Sequence, residues 1–228
     1  MIGCDGCSAA LVTPSDSDDN HASTTHRRLC GQSVSSSSEH QNQQTTAVVE
    51  QWLERFIIDL NLCPFAGRVV RSGRVRVATT DADSETALLK QLHWELEYLQ
   101  RSDQVETTLL VHPGVLTDFL DYNQFLDQVD ELLINGGFEG EFQVASFHPH
   151  YQFAGTQAQD AENYSSRSPY PLLHILRESG VAEAAAQHPD VESIPGRNID
   201  VLERLGQQTL HERWLACFTA ISDSGPET

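Results

Sequence analysis

The chain has 228 residues, 39% of them hydrophobic, enough to build a real core in one large domain or two small ones. Its net charge is −19, with 33 acidic against 14 basic residues and Lys90 the sole lysine, which argues against partners presenting phosphate backbones or anionic lipid heads. Five cysteines make an odd count without framework spacing, as expected of a reducing, cytoplasmic setting.

The first 45 residues run through "SDSDDN", "SVSSSSEH" and "QNQQTT" without an aromatic residue. Such a stretch cannot bury enough apolar surface to offset its ordering entropy. It is expected to be a disordered polar tail, followed by a single α/β domain over residues 46–222 and a short disordered C-terminus over 223–228. The start, "MIGCDGCSAALVTP", lacks the basic n-region and full apolar h-region of a secretory signal. No apolar run approaches the roughly 20 residues that span a bilayer. Cys4, Cys7, His26 and Cys30 have the ligand types of a small zinc knuckle, but the chain between them offers little to pack around a metal, and a floppy tail is expected instead.

The domain opens with "VVEQWLERFIIDLNL", in which Val49, Leu53, Phe56 and Leu60 recur at helical spacing until Cys63-Pro64 stops the run. "GRVRVATT" alternates and is β-branched, a strand. In "DSETALLKQLHWELEYLQ", Ser84 can cap a helix whose buried stripe is Leu88, Leu92, Leu96 and Leu99. "VETTLLVHP" is a more continuously apolar strand, expected at the centre of the sheet. A third helix, "TDFLDYNQFLDQVDELLINGG", starts at Thr117 or Asp118 and ends at Gly136-Gly137. "EFQVASFHP" is the third strand. A polar segment of about 20 residues follows, long for an ordinary connection and suited to a lid or binding loop. "YPLLHILRES" reads as a fourth helix stopped by Gly180, and "VAEAAAQ" and "RNIDVLERLGQQTLHERWLACFTAI" as closing helices.

Strand, helix, strand, helix, strand at these spacings indicates parallel βαβ units with right-handed crossovers. The expected fold is α/β, a small, mostly parallel sheet of three or four strands with flanking helices. A ferredoxin-like α+β arrangement is the alternative, should "YQFA" return as an antiparallel strand.

His112 and His148 each close a strand and each precedes a proline that ends sheet pairing. In a parallel sheet ligands bind outside the carboxyl ends of the strands. The two imidazoles would lie about 5 Å apart on adjacent strands, or about twice that with one strand between. One His-Pro alone reads as a strand cap; two at corresponding ends read as a site. The loop beyond His148 offers Tyr151, Gln152 and Asn163 as a pocket wall, and Asn123, beside Asp121 and Tyr122 in the third helix, can reach the same crevice. Arg167 and Ser168 stand where a capped helix N-terminus would attract phosphate or carboxylate. His174 would follow about one turn later, with Arg177 and Glu178 on the same side of the helix, Glu178 orienting His174 or acting as a general base. Cys63, at the negative end of a helix, reads as a core cysteine rather than a nucleophile. Arg197 and Asn198 precede another helix start and read as capping or surface groups.

The segments "LNLCPFA", "LLVHPGVLTDFLDYNQFL", "QVASFHPHYQFA", "RSPYPLLHILRE" and "RNIDVLERLG" resemble a bacterial family catalogued as domain of unknown function 1415, over about Val48 to Gly206. The resemblance implies a soluble cytoplasmic protein of proteobacterial type and carries over no catalytic residue. The chain departs from the family pattern at His150, where an acidic residue is usual, and at Ser166, where Asn is usual, so neither is an obligatory member of the site.

HExxH, GxSxG, a P-loop and GxGxxG are all absent. The expectation is an enzyme of hydrolase or lyase type with a His-rich pocket for a small polar or anionic substrate. His112, His148 and His174 serve in it as ligands of a divalent metal (zinc or iron) or as acid and base. The alternative is a non-catalytic anion- or metal-binding regulatory module. A small-molecule partner is expected, with no nucleic acid and no membrane; cofactor and oligomeric state are left open.

Overall fold

The leucines at positions 88, 92, 96 and 99 are all fully buried, and that stripe seats one helix against the sheet that organises the molecule. The structure, a computed structural model, describes residues 32–188 and 190–219, with side chains from residue 38. The zinc-knuckle residues Cys4, Cys7, His26 and Cys30, the tail up to residue 31 and the C-terminal stretch 223–228 lie outside the described residues.

The strands are β1 (Val75–Thr79), β2 (Thr107–Val111), β3 (Phe142–Phe147) and β4 (Leu172–Arg177). The helices are α1 (Gln32–Trp52), α2 (Ala66–Arg71), α3 (Glu85–Arg101), α4 (Phe119–Asn135), α5 (Glu178–Gln187) and α6 (Ile194–Thr219), the last broken at Gly206, whose φ of 76° suits only glycine without strain. A π-helical turn, Leu53–Ile58, continues α1.

The sheet order is β1-β2-β4-β3. β1 and β2 are parallel, whereas β4 is antiparallel to both β2 and β3. The fold is therefore mixed α/β, not mostly parallel, and the antiparallel strand is not "YQFA". It is the segment "LLHILR", which the sequence reading placed in a helix stopped by Gly180. The strand wins because five consecutive apolar-compatible residues, Leu172 to Leu176, can face both sides of a covered sheet, and Gly180 lies inside α5.

Side-chain alternation splits the strands between two cores. On one face Ala78, Leu110, Leu173, Ile175 and Phe142 pack under α3 and α4. On the other, Leu109, Val111 and Leu172 pack under α1, the π turn and α6 through Trp52, Phe56, Leu202 and Leu210. β2 is buried along its whole length, as a central strand must be. Ser84 caps α3, its hydroxyl accepting from the Ala87 N–H, and Asp118 caps α4 by accepting from Leu120 and Asp121. Helix begins at Gln32, so residues 32–45, read from their composition as tail, are helical.

Candidate functional site

β2 and β3 run parallel to each other with β4 between them, so their carboxyl ends share one edge. Val111 and Phe147 both pair with Leu172, which puts His112 and His148 at the same level on either side of β4. Both follow residues that face α1 and α6, so both side chains turn to the α4 side. There the Tyr122 ring lies between them, its centroid 5.8 Å from His112 and 5.1 Å from His148.

This edge is packed rather than hollow. His112 and His148 are fully buried. Nδ1 of His112 lies 3.0 Å from the Val115 carbonyl, which can only accept, so Nδ1 carries the proton. The bare Nε2 is buried and has no partner among the described residues. His148 is the opposite tautomer, Nε2–H donating to the Leu116 carbonyl at 3.2 Å and Nδ1 accepting from the His150 N–H at 3.0 Å. Burial pulls His112 down to a pKa of about 4, helped by the neighbouring His148 ring. Burial also lowers His148, with His150 adding to it. Tyr122 donates to the Leu172 carbonyl at 2.8 Å and accepts the Phe147 N–H at 3.1 Å; its burial pushes the phenol well above its ordinary range.

The loop beyond His148 is held by its own side chains. Buried Asn163 accepts from the Phe153 N–H and the Thr156 hydroxyl and donates to the Gln157 carbonyl. Gln152, exposed, donates to the Thr156 carbonyl. Tyr151 packs on Phe119 and Phe153. Arg167 donates to the carbonyls of Tyr151 and Ala158 and lies over the Tyr164 ring at 4.8 Å. Ser168 is buried and donates to the Tyr170 carbonyl; no helix N-terminus follows it, so the expected anion site at a capped helix start does not form there. Asn123 is exposed on α4 and Asp121 likewise.

His174 lies elsewhere. It sits in the middle of β4, paired with Leu109 and Ala145, and faces the α1 side, opposite to His112 and His148. A single centre drawing on all three imidazoles therefore does not form. Among the described residues, no group of three or more His, Cys, Asp or Glu side chains stands where it could hold a metal ion. Nor do His174, Arg177 and Glu178 share a helix face. Arg177 points to the other side of the strand, donating to the carbonyls of Leu99, Ser102 and Val105 at the end of α3, and Glu178 begins α5.

What His174 faces is a cavity of about 370 Å³, partly open to solvent, between the sheet and the segments around α2 and α5. Its wall is mostly apolar, with Trp52, Ile57, Leu109, Phe147 and Val181 among the lining residues. The polar groups are few: His174, Thr107 and Gln143 from the sheet, Cys63, Ser165 and Asn198 beside them, and the charged residues Arg68, Glu106 and Arg177, the last with its guanidinium turned to the end of α3. Oγ of Thr107 lies 2.6 Å from the Ile175 carbonyl and 2.7 Å from Nε2 of His174. Its one hydrogen goes to the carbonyl, so it accepts from Nε2–H, and Nδ1 of His174 is left as a lone pair without a partner among the described residues. Burial lowers the His174 pKa to about 4, so the ring is neutral near pH 7.

The sequence reading missed Thr107, Gln143 and Trp52 as lining residues. The available signal was polar residues interrupting apolar strands with the period-two phase that places Thr107, Gln143 and His174 on one face. It becomes readable only once "LLHILR" is recognised as a strand. Cys63, expected in the core, is half-buried and lines the cavity. Asn198 donates to the Leu62 carbonyl and Arg197 to that of Asn61, tying α6 to the turn after the π helix.

Among the described residues no helix is long and apolar enough to cross a membrane. No curated protein and no solved structure matches the chain. The model of the family described as "Protein of unknown function (DUF1415)" matches residues 44–212, a span that takes in all four described strands, the cavity and the His112–His148 edge, and the chain belongs to that family.

Proposed function

We propose that this chain binds a small, largely apolar molecule in the cavity on the α1 side of the sheet, and that His174 recognises a hydrogen-bond donor on it. The observation that carries this reading is the lone pair on Nδ1 of His174 in a mostly apolar cavity of about 370 Å³. Ligand pockets occupy roughly 300–1,000 Å³ and are lined by apolar side chains with a few placed polar groups. A neutral imidazole whose tautomer is set by Thr107 is an acceptor fixed in advance, and Gln143 adds an amide that gives and takes hydrogen bonds.

The reading favours binding over the hydrolase or lyase chemistry expected from three clustered histidines. With a pKa of about 4 His174 is a weak base. The edge pair, His112 and His148, is buried against Tyr122, with Phe119 against His148, and neither lines that cavity.

A neutral, environment-sensitive dye such as Nile red tests this. Wild-type protein should bind it with a blue-shifted emission, and Ala145→Phe, which fills the cavity from β3, should abolish that binding with the circular dichroism spectrum unchanged. Dye binding that survives Ala145→Phe in a folded protein would place the ligand elsewhere.

A further inference from the structure

The cavity has a charged rim that its apolar wall does not explain. Arg68 lines it from α2, and Arg71 stands one turn further along the same short helix. Arg71 folds back along the helix, so that a Cβ on Gly67 would come within 2.9 Å of its Nη1. Both arginines are exposed. Neither side chain makes an ion pair or hydrogen bond among the described residues, although the chain carries 33 acidic residues. Arg74, Arg76, Arg101 and Arg213, by contrast, are each matched to a carboxylate. The one carboxylate that lines the cavity, Glu106, is taken by Arg74 at 3.0 Å.

Two unmatched guanidinium groups beside an apolar cavity, on a protein of net charge −19, are an attractive spot in a repulsive field. That field also selects among anions. A singly charged carboxylate meets less of the surrounding negative potential than a phosphate dianion, and it fits the guanidinium fork. In the same cavity, the sheet floor offers an acceptor, Nδ1 of His174, that no anion satisfies and a hydroxyl does.

Resting on the cavity reading above, we propose that the ligand is an amphipathic carboxylic acid bearing a distal hydroxyl. Its carboxylate sits at Arg68 with Arg71 beside it, its apolar body lies along the sheet, and its hydroxyl donates to His174. This assigns Arg68 a binding role and sets the polarity of the ligand: charge outward, hydroxyl inward.

Three probes of equal chain length, ω-hydroxydecanoate, decanoate and decanol, separate the parts when each is used to displace Nile red from the full chain. The expected order is ω-hydroxydecanoate tightest, then decanoate. Decanol should be about five- to tenfold weaker than decanoate, the range of one charge-assisted contact at a partly exposed site. In Arg68→Gln/Arg71→Gln, whose exposed positions leave the fold intact, decanoate should fall to the affinity of decanol while decanol is unchanged. Raising salt should weaken the two acids alone. Equal binding of decanoate and decanol to the wild type, or a preference that survives the double substitution, overturns the carboxylate assignment and leaves the cavity reading standing. Failure of Nile red and of all three probes to bind overturns both.

Discussion

Thr107 and His174 fix each other's hydrogens: the hydroxyl accepts from Nε2–H at 2.7 Å because its own hydrogen is given to the Ile175 carbonyl at 2.6 Å. Thr107→Val keeps the shape of the side chain and removes both bonds. The Ile175 carbonyl loses one of its donors and the imidazole its anchor, at a cost of about 1–3 kcal/mol. The proton is also free to move to Nδ1, so nitrogen chemical shifts of the His174 ring should report a mixed tautomer where the wild type shows protonated Nε2 alone. Affinity for hydroxyl-bearing ligands should fall more than affinity for decanoate.

Acid should weaken the fold through its buried imidazoles. His112 and His174 have folded pKa values of about 4 against the ordinary 6.5, and that of His148 is lowered as well. Well above pH 6.5 these rings are neutral in both states and the full stability is present. Between 6.5 and 4 the unfolded chain takes up protons that the folded chain refuses, so stability drops with falling pH; below about 4 the loss levels off. For each of the two strongly shifted rings the gap corresponds to about 3 kcal/mol. Urea midpoints measured across this window should fall steadily, and His174→Phe should flatten part of the slope. A pH-independent midpoint would contradict the burial of these rings.

Tyr122 holds the edge where three strands finish. Its hydroxyl bonds to the Leu172 carbonyl of β4 and to the Phe147 N–H of β3. Tyr122→Phe leaves both main-chain groups unpaired in a buried place and should cost about 2 kcal/mol in urea unfolding, with the His112 and His148 resonances shifted.

Arg76 and Glu95 join β1 to α3 through two parallel bonds of 2.9 and 3.1 Å, and they are unequally buried: the glutamate side chain is fully buried, the arginine 33% exposed. Losing the arginine strands a buried carboxylate, whereas losing the glutamate releases a guanidinium that can reach water and still lies over Tyr98. Arg76→Leu should therefore destabilise by about 3 kcal/mol and Glu95→Leu by much less. Urea unfolding of the two variants checks this, and equal costs would contradict the uneven burial of the pair.

The regular elements were legible wherever one periodicity dominated. The α3 leucine stripe, the Ser84 and Asp118 caps, the alternating β1 and the more continuously apolar, fully buried β2 all stand where the residues put them. β4 was not legible for a physical reason. "LLHILR" has neither period, since a strand covered on both faces needs apolar residues at every position, and Ser168-Pro169 before it imitates a helix start. That one misreading moved His174 from a sheet to a helix and joined it to histidines on the opposite face. The edge pair itself was correctly placed at one level of the sheet, because its location depends only on β2 and β3 running in parallel. The cavity could not be read at all: its wall comes from α1, α2, α5, α6 and all four described strands, and no local pattern records such an assembly.

The placement of β4 also dictates an order of events. β2 and β3, the two strands that flank it, are complete by residue 147, yet the segment that must slide between them begins at Leu172. Until that segment is made, the edges of β2 and β3 that pair with it have no partner, and the last strand must be added between them. Edges of that kind invite the wrong guest, a strand from a neighbouring chain. The delay ends only when residues 172–177 emerge, so swapped dimers and slow insertion are the characteristic errors to expect of this sheet, and a truncation before residue 172 should aggregate rather than fold.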